Sequence, residues 1–284
     1  VLIRIGFDLT FDFPAPAATL LMLYTHPSRA GSLLEPQRIN SDPAVAITTF
    51  IDGFGNQCGR VLAPAGQLRL WHNAVVRDSG LPDPVDPSAA QSEVQDLAPE
   101  VLRFLMASRY CETDRLAEIA WELFGKTAPG WPRVQAVCDW VHHNVTFGYD
   151  FARPTKTAYD VYYERRGVCR DFSHLLITFL RCLNIPARYA TGYLGDIGVP
   201  PCPLPMDFSA WTEVFLGGQW YAFDGRHNLP RIGRIVMARG RDAADVALTT
   251  SFGPSRLVKF SVITEALAEE SPPPATPAAA VTYR

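Results

Sequence analysis

Cys169 follows Gly167-Val168 and opens a segment in which Phe172, Leu175, Leu176, Phe179 and Leu180 recur at helical spacing. The thiol therefore sits on the first turn of an amphipathic helix. Free backbone N–H groups and the positive end of the helix dipole favour a thiolate there, and the same N–H groups can stabilise an oxyanion. Arg165, Arg166 and Arg170 add positive potential around it. This is the setting of a cysteine nucleophile; a buried small hydrophobe is the plainer alternative for a lone cysteine.

A base should lie on a neighbouring element. Ala210–Leu216 and Gln219–Asp224 read as strands joined by Gly217-Gly218, a two-residue loop suited to a primed turn. That loop sets the register, with Leu216 opposite Gln219, Phe215 opposite Trp220, Trp211 opposite Asp224 and Ser209 opposite Arg226. Ser209 and Asp224 become diagonal neighbours on one face, the spacing that a base and its orienting carboxylate use. The carboxylate is present, but a serine stands at the base position. A hydroxyl cannot take a thiol proton at neutral pH as an imidazole does. His227 lies three residues past Asp224, with Gly225 able to turn the chain, although a continuing strand points it to the opposite face. His174 is a poor partner, about 140° around the helix from Cys169 and about 7.5 Å along it.

Several motifs share one order and spacing: Arg166-Gly167-Val168-Cys169-Arg170-Asp171-Phe172-Ser173-His174, Ile185-Pro186-Ala187-Arg188-Tyr189, Thr191-Gly192-Tyr193, Ala210-Trp211-Thr212-Glu213-Val214 and Trp220-Tyr221-Ala222-Phe223-Asp224. Together they resemble the bacterial transglutaminase-like family. The resemblance covers roughly residues 99–260 and implies a papain-like α+β core with a Cys-His-Asp triad. Residues 1 to about 78 are similar to the β-rich domain that precedes this core in bacterial members. Carried over, Cys169 is the nucleophile, Asp224 the triad acid and Ser209 the position of the family histidine. Three accounts of that serine stay open: a relocated histidine, with His227 ahead of His174; a slow catalyst driven by the helix end alone; or an inactive, peptide- or protein-binding groove. The active accounts imply thiol attack on a glutamine or peptide amide, with the acyl group passed to water or an amine.

The elements that must position these residues follow from the patterning. Ile3, Ile5, Phe7, Leu9, Phe11 and Phe13 alternate with Arg4, Gly6, Asp8, Thr10 and Asp12, a half-buried strand. Further β-type runs at Leu20–Tyr24, Val45–Ile51, Gln57–Leu62 and Gln67–Val76 make residues 1–80 an all-β, sandwich-like module. A proline-rich connection, 81–98, separates it from the core at 99–265, and a Pro/Ala-rich tail is expected over 266–284. In the core, Thr113–Phe124 and the run from Val134 to Val141 have helical periods, and Arg188–Leu194 reads as a strand before the hairpin. Trp211 and Trp220 share the hairpin face of Asp224 and are candidates to wall a cleft, as ordinary packing residues also would.

The chain has 284 residues, 48% hydrophobic and 19% charged, with a formal net charge of −3. This supports a substantial core and argues against nucleic acid or an anionic membrane as partner. The partner expected instead is a peptide or protein substrate bearing an amide. Six cysteines without a CxxC pair suggest reduced thiols and a cytoplasmic setting, and no metal or organic cofactor is expected. Adjacent His142-His143 cannot chelate from one helix face. The basic, glycine-punctuated segment with Arg231, Arg234, Arg239 and Arg241 could recognise a carboxylate or line a solvated loop. The oligomeric state is not encoded in any pattern.

Overall fold

The computed structural model describes residues 1–267 apart from Leu204; of the tail expected over 266–284, Ala266 and Leu267 belong instead to the last strand, where they pair with Ile3 and Leu2, and residues 268–284 lie outside the described residues. The chain opens with β1 (Leu2–Phe13), β2 (Ala17–Leu21), β3 (Asn40–Asp42), β4 (Thr48–Ile51), β5 (Gln57–Ala63) and β6 (Gly66–Arg77). Helices α1 (Pro99–Leu102), α2 (Thr113–Phe124) and α3 (Trp131–Asn144) follow. Next come β7 (Thr146–Phe147), α4 (Ala158–Glu164), β8 (Arg166–Gly167) and α5 (Cys169–Cys182). The chain continues through β9 (Ala187–Tyr193), β10 (Ser209–Leu216), β11 (Gln219–Phe223), β12 (Ile235–Gly240), β13 (Thr249–Ser251) and β14 (Arg256–Leu267). The result is a mixed α+β chain, a papain-like core preceded by a β-rich region.

The period of two in β1 is realised as expected: Ile3, Ile5, Phe7, Leu9, Phe11 and Phe13 are all buried, facing the interior between two four-stranded sheets. Their strand orders are β14-β1-β6-β3 and β13-β2-β5-β4. One terminal strand of each sheet comes from the far end of the chain: β14 pairs antiparallel with β1 from Leu2↔Leu267 to Asp12↔Arg256, and β13 pairs with β2. Residues 249–265, grouped with the core by sequence, thus pair with the N-terminal sheets. The physical reason is that β1 and β2 each need a partner along their second edge.

The core sheet has the order β11-β10-β9-β12, all antiparallel. Helix α5 crosses one face, and its residues from Asp171 to Cys182 are buried throughout, so it is the central helix and not a surface one. Helices α2, α3 and α4 surround it, with Leu116, Ala120, Val134, Val137 and Val161 closing the same apolar cluster. Glu112 takes the N-cap position of α2. Tyr193, Phe208, Ile235 and Met237 point the other way and join the core of the β-sandwich, which packs the two parts into one continuous body.

The hairpin register matches the expected pairs Leu216↔Gln219 and Phe215↔Trp220, and Gly217 and Gly218 both carry positive φ, as a primed turn requires. The ladder ends at Thr212↔Phe223, however, so Trp211 and Ser209 do not face Asp224 and Arg226 across the sheet. Asp224 starts a turn, in which the N–H of Asn228 bonds the carbonyl of Asp224 at 2.7 Å. The extension of the strand through Asp224, and with it the diagonal Ser209–Asp224 pair, is corrected by this turn: the backbone and side chain of Asp224 are taken up by local hydrogen bonds that compete with the ladder.

Candidate active site

Cys169 is the first residue of α5, with Val168 in extended geometry before it. The Asp171 carboxylate accepts the Val168 N–H at 3.0 Å and fixes the entry to the helix. First-turn N–H groups, that of Cys169 among them, have no carbonyl within the helix to bond and are available to an oxyanion. On the opposite side the thiol faces the start of β10, where the nearby Ala210 N–H favours the ionised sulfur.

The electrostatics around the thiol differ from the expectation. Burial, with the Asp207 charge second, pushes the Cys169 thiol up to about 11, and the Ala210 N–H and Arg226 oppose this only in part. The three arginines expected to help are engaged elsewhere. Arg165 stacks over Trp140 and Tyr162, Arg166 lies over Phe151, and Arg170 bonds buried Asp171 and the Arg153 carbonyl. The resting group is therefore a neutral thiol, which needs a base to react.

An imidazole held by a carboxylate stands at the turn after β11. His227 Nδ1 donates to Asp224 Oδ2 at 3.0 Å, leaving Nε2 as the acceptor of the ring. Asp224 Oδ1 accepts the N–H groups of Arg226 and His227 at 3.0 and 3.1 Å, and Arg234 donates to Oδ2 at 3.3 Å. Burial alone would raise this carboxyl; the His227 hydrogen bond and the Arg234 charge outweigh it and hold the group well below its ordinary value. Helix α3 braces the turn. Asn228 Nδ2 donates to Asp139 Oδ1, Gln135 Nε2 donates to Asn228 Oδ1, and His142 Nδ1 donates to the Arg226 carbonyl at 3.0 Å. Gly225 is required by this close approach, because a Cβ there would stand 2.9 Å from Val141 Cγ1.

Two cavities meet at Cys169. The smaller, about 80 Å³, is lined by His227, Arg226, Arg231, Asp196 and Cys202. The larger, about 500 Å³, is walled by Tyr110, Tyr189, Ala243, Val246, Ala247 and Leu248. Tyr149, Cys169, Asp207, Phe208 and Ser209 line both and form the divide between them.

Of the four residues singled out by sequence, Cys169, Ser209 and His227 share the small cavity, and Asp224 stands behind His227. Ser209 makes no hydrogen bond to Asp224 among the described residues; the Asp224 oxygens are filled by Arg226, His227 and Arg234. His174 is fully buried on the far side of α5, where its Nε2 accepts the Ala243 N–H at 3.1 Å. Trp211 is buried against Ala190 and Val236, and Trp220 packs on Phe104 and Arg188, so neither walls the cleft. The basic segment serves the protein's own carboxylates: Arg234 binds Asp83 and Asp224, Arg239 binds Glu213 and Arg241 binds Asp245.

Sequence reasoning missed Asp207, Tyr149 and the brace from α3. Asp207 precedes the hairpin by a single residue pair, and its position beside the expected histidine site was the one available signal. Among the described residues no group of three or more His, Cys, Asp or Glu is placed to hold a metal ion, and no helix is long and apolar enough to cross a membrane.

Residues 118–225 match the family profile described as the transglutaminase-like superfamily. A candidate cysteine protease from Cytophaga hutchinsonii, solved at 1.9 Å, superposes with a TM-score of 0.82 at 29% identity, covering 95% of this chain and 92% of that one. An uncharacterized protein of Mycobacterium leprae is 25% identical over 248 residues, 84% of this chain and 87% of its own. One from Mycobacterium tuberculosis H37Rv is 27% identical over 229 residues, 74% of this chain and 73% of its own.

Proposed function

We propose that this chain, whose core belongs to the bacterial transglutaminase-like family, acts on peptide or protein amides through a Cys169 thioester, with His227 as the base and Asp224 as its orienting carboxylate. The observation that carries this reading is the 3.0 Å His227–Asp224 hydrogen bond in a turn whose imidazole lines the same cavity as Cys169. The likeness to a candidate cysteine protease supports thiol chemistry in this scaffold.

The mechanism follows from the neutral thiol. As sulfur attacks the carbonyl carbon, His227 Nε2 takes the thiol proton, a C–S bond forms and the carbonyl electron pair moves to oxygen. First-turn N–H groups of α5 receive that oxyanion. The intermediate collapses to a thioester, breaking the C–N bond as His227 returns the proton to the departing nitrogen. Water or an amine then repeats the sequence, with its proton passing to His227, and the Cys169 sulfur leaves and is reprotonated. Asp224 stays ionised throughout and stabilises the imidazolium. With the thiol pushed up to about 11, it is protonated at neutral pH and attack needs the base.

An activated ester isolates that step because its leaving group needs no proton. With p-nitrophenyl acetate, an acetyl adduct on Cys169 is expected by peptide mass spectrometry, and His227→Gln should slow its formation about 10³-fold. Equal Cys169 rates in both proteins would sink the assignment and favour the binding-groove alternative.

A further inference from the structure

The proton path assigns the two cavities. His227 must reach the departing nitrogen, so the leaving group lies in the small cavity that His227 lines, and the acyl group lies across the divide in the larger one. Resting on the catalytic reading above, we propose that the larger cavity is the acyl-side pocket and selects amides whose acyl group carries an aliphatic or aromatic side chain, over glutamine and acidic residues.

The wall chemistry carries this. Tyr110, Tyr189, Val246 and Leu248 present ring faces and alkyl groups. The two arginines of the lining and the Tyr110 and Thr191 hydroxyls are already engaged within the protein. Arg153 bonds Glu164 at 2.6 Å and Asp160 at 3.0 Å, Arg170 is held by Asp171, the Tyr110 hydroxyl donates to the Pro154 carbonyl, and the Thr191 hydroxyl donates to the Ser209 carbonyl. A glutamine carboxamide in this space meets mostly alkyl and ring carbon and no unengaged arginine of the lining, and gives up part of its hydration without replacement. An acidic side chain meets Asp207 as well, a carboxylate with no cation in ion-pair contact among the described residues.

The pocket is also preformed. His174, behind its wall, stacks on Tyr110 with ring centroids 5.0 Å apart, tilts against Tyr189 at 5.3 Å, and accepts the Ala243 N–H. One buried ring thus ties together three wall segments from separate parts of the chain. Burial, with the charges of Arg170 and Arg181, keeps this histidine neutral well below its ordinary value, so the tether does not titrate at working pH. A rigid apolar wall of this size suits a bulky side chain without a cost of reorganisation.

The test uses N-acetyl-aminoacyl chloromethyl ketones bearing Phe, Leu, Gln or Glu, with Cys169 alkylation followed by peptide mass spectrometry. Phe and Leu probes are expected to react at least tenfold faster than Gln and Glu probes. Exposed Ala247 lines the cavity, and Ala247→Trp should erase that preference; each probe rate is divided by the iodoacetamide rate at Cys169 of the same protein, so that a change in access to the thiol is not read as a change in preference. Ala152→Trp, on the opposite exposed wall, serves as the second variant should the first not fold. A Gln probe that reacts fastest, or a ranking untouched by both variants, overturns the inference while leaving the catalytic reading intact. If Cys169 resists even iodoacetamide, the catalytic reading fails on its own. The pocket is then read by binding of N-acetyl-phenylalaninamide against N-acetyl-glutaminamide to the full chain, where equal or reversed affinities overturn it.

Discussion

The two halves of the candidate site are built by opposite means. At the α5 end, Cys169 stands among charges that cancel one another: Arg170 against Asp171 on one side, and burial with Asp207 outweighing the Ala210 N–H and Arg226 on the other. At the 224–228 turn, charge is concentrated, with four donor groups converging on one buried carboxylate. The thiol is left protonated, and the structural effort goes into aiming and supporting the imidazole. A cysteine site need not begin as a thiolate; where the base is well held, activation can be deferred to the moment of attack.

The largest effect should come from the supported side. Asp224→Asn keeps the shape of the side chain but can donate an amide N–H to Nδ1, which moves the imidazole proton to Nε2 and removes the acceptor. Acetylation of Cys169 is expected to fall about 10³- to 10⁴-fold. The variant also leaves Arg234 without one of its two carboxylates, so a thermal melt must accompany the rate. A folded Asp224→Asn protein with wild-type acetylation would end the distinction between the two halves.

Ser209→His sharpens the same contrast. In the otherwise native chain it should change acetylation less than about threefold, because the Asp224 oxygens are already occupied. In a His227→Gln background, where Oδ2 is freed, the new imidazole should recover at least about tenfold of the lost rate, in line with general-base contributions. A gain of about a hundredfold from Ser209→His alone would instead identify the natural serine as the lesion and the native chain as an impaired member.

How much of this was legible in the sequence depended on whether local pattern or tertiary packing decided the outcome. Cys169 at a helix start, the α5 apolar residues and the Gly217-Gly218 turn are set by local periodicity and backbone sterics, and all three are realised. The turn at Asp224 was not legible. Strand-like residues run up to it, and only the approach of α3, with Gly225 against Val141, closes the chain into a loop that returns His227 to the cavity. Arg165 and Arg166 were visible as types but not as partners, since Trp140 and Phe151 capture them from positions that sequence spacing does not connect, whereas Arg170 is taken up by the adjacent Asp171. The pairing of β14 with β1 spans nearly the whole chain and has no local signal.

Gly225→Ala tests the brace without touching any hydrogen-bonding group. The added methyl meets Val141, and overpacking of this kind costs about 1–3 kcal/mol. The expected result is a lowered melting temperature with Cys169 acetylation reduced about tenfold through misplacement of His227, while the pH dependence keeps its shape. An unchanged rate at lowered stability would mean that the turn positions the imidazole without help from α3.

The smallest effect belongs to Asp207, the charge on the unsupported side. Its removal in Asp207→Asn lowers the Cys169 thiol from about 11, where burial remains the main cause of the rise. Iodoacetamide labelling at pH 9 should therefore quicken by roughly threefold to tenfold, since each unit of pKa corresponds to a tenfold change in thiolate fraction. Stability carries the matching sign. A thiol raised in the folded state contributes stability that is fully present below its ordinary value of 9.0 and is lost as pH rises through about 11. Lowering the folded value narrows that window, so the melting temperature of Asp207→Asn should decline less steeply between pH 9 and pH 11 than that of the native chain. A parallel decline in both proteins would show that Asp207 is screened from the thiol and that burial alone keeps Cys169 protonated.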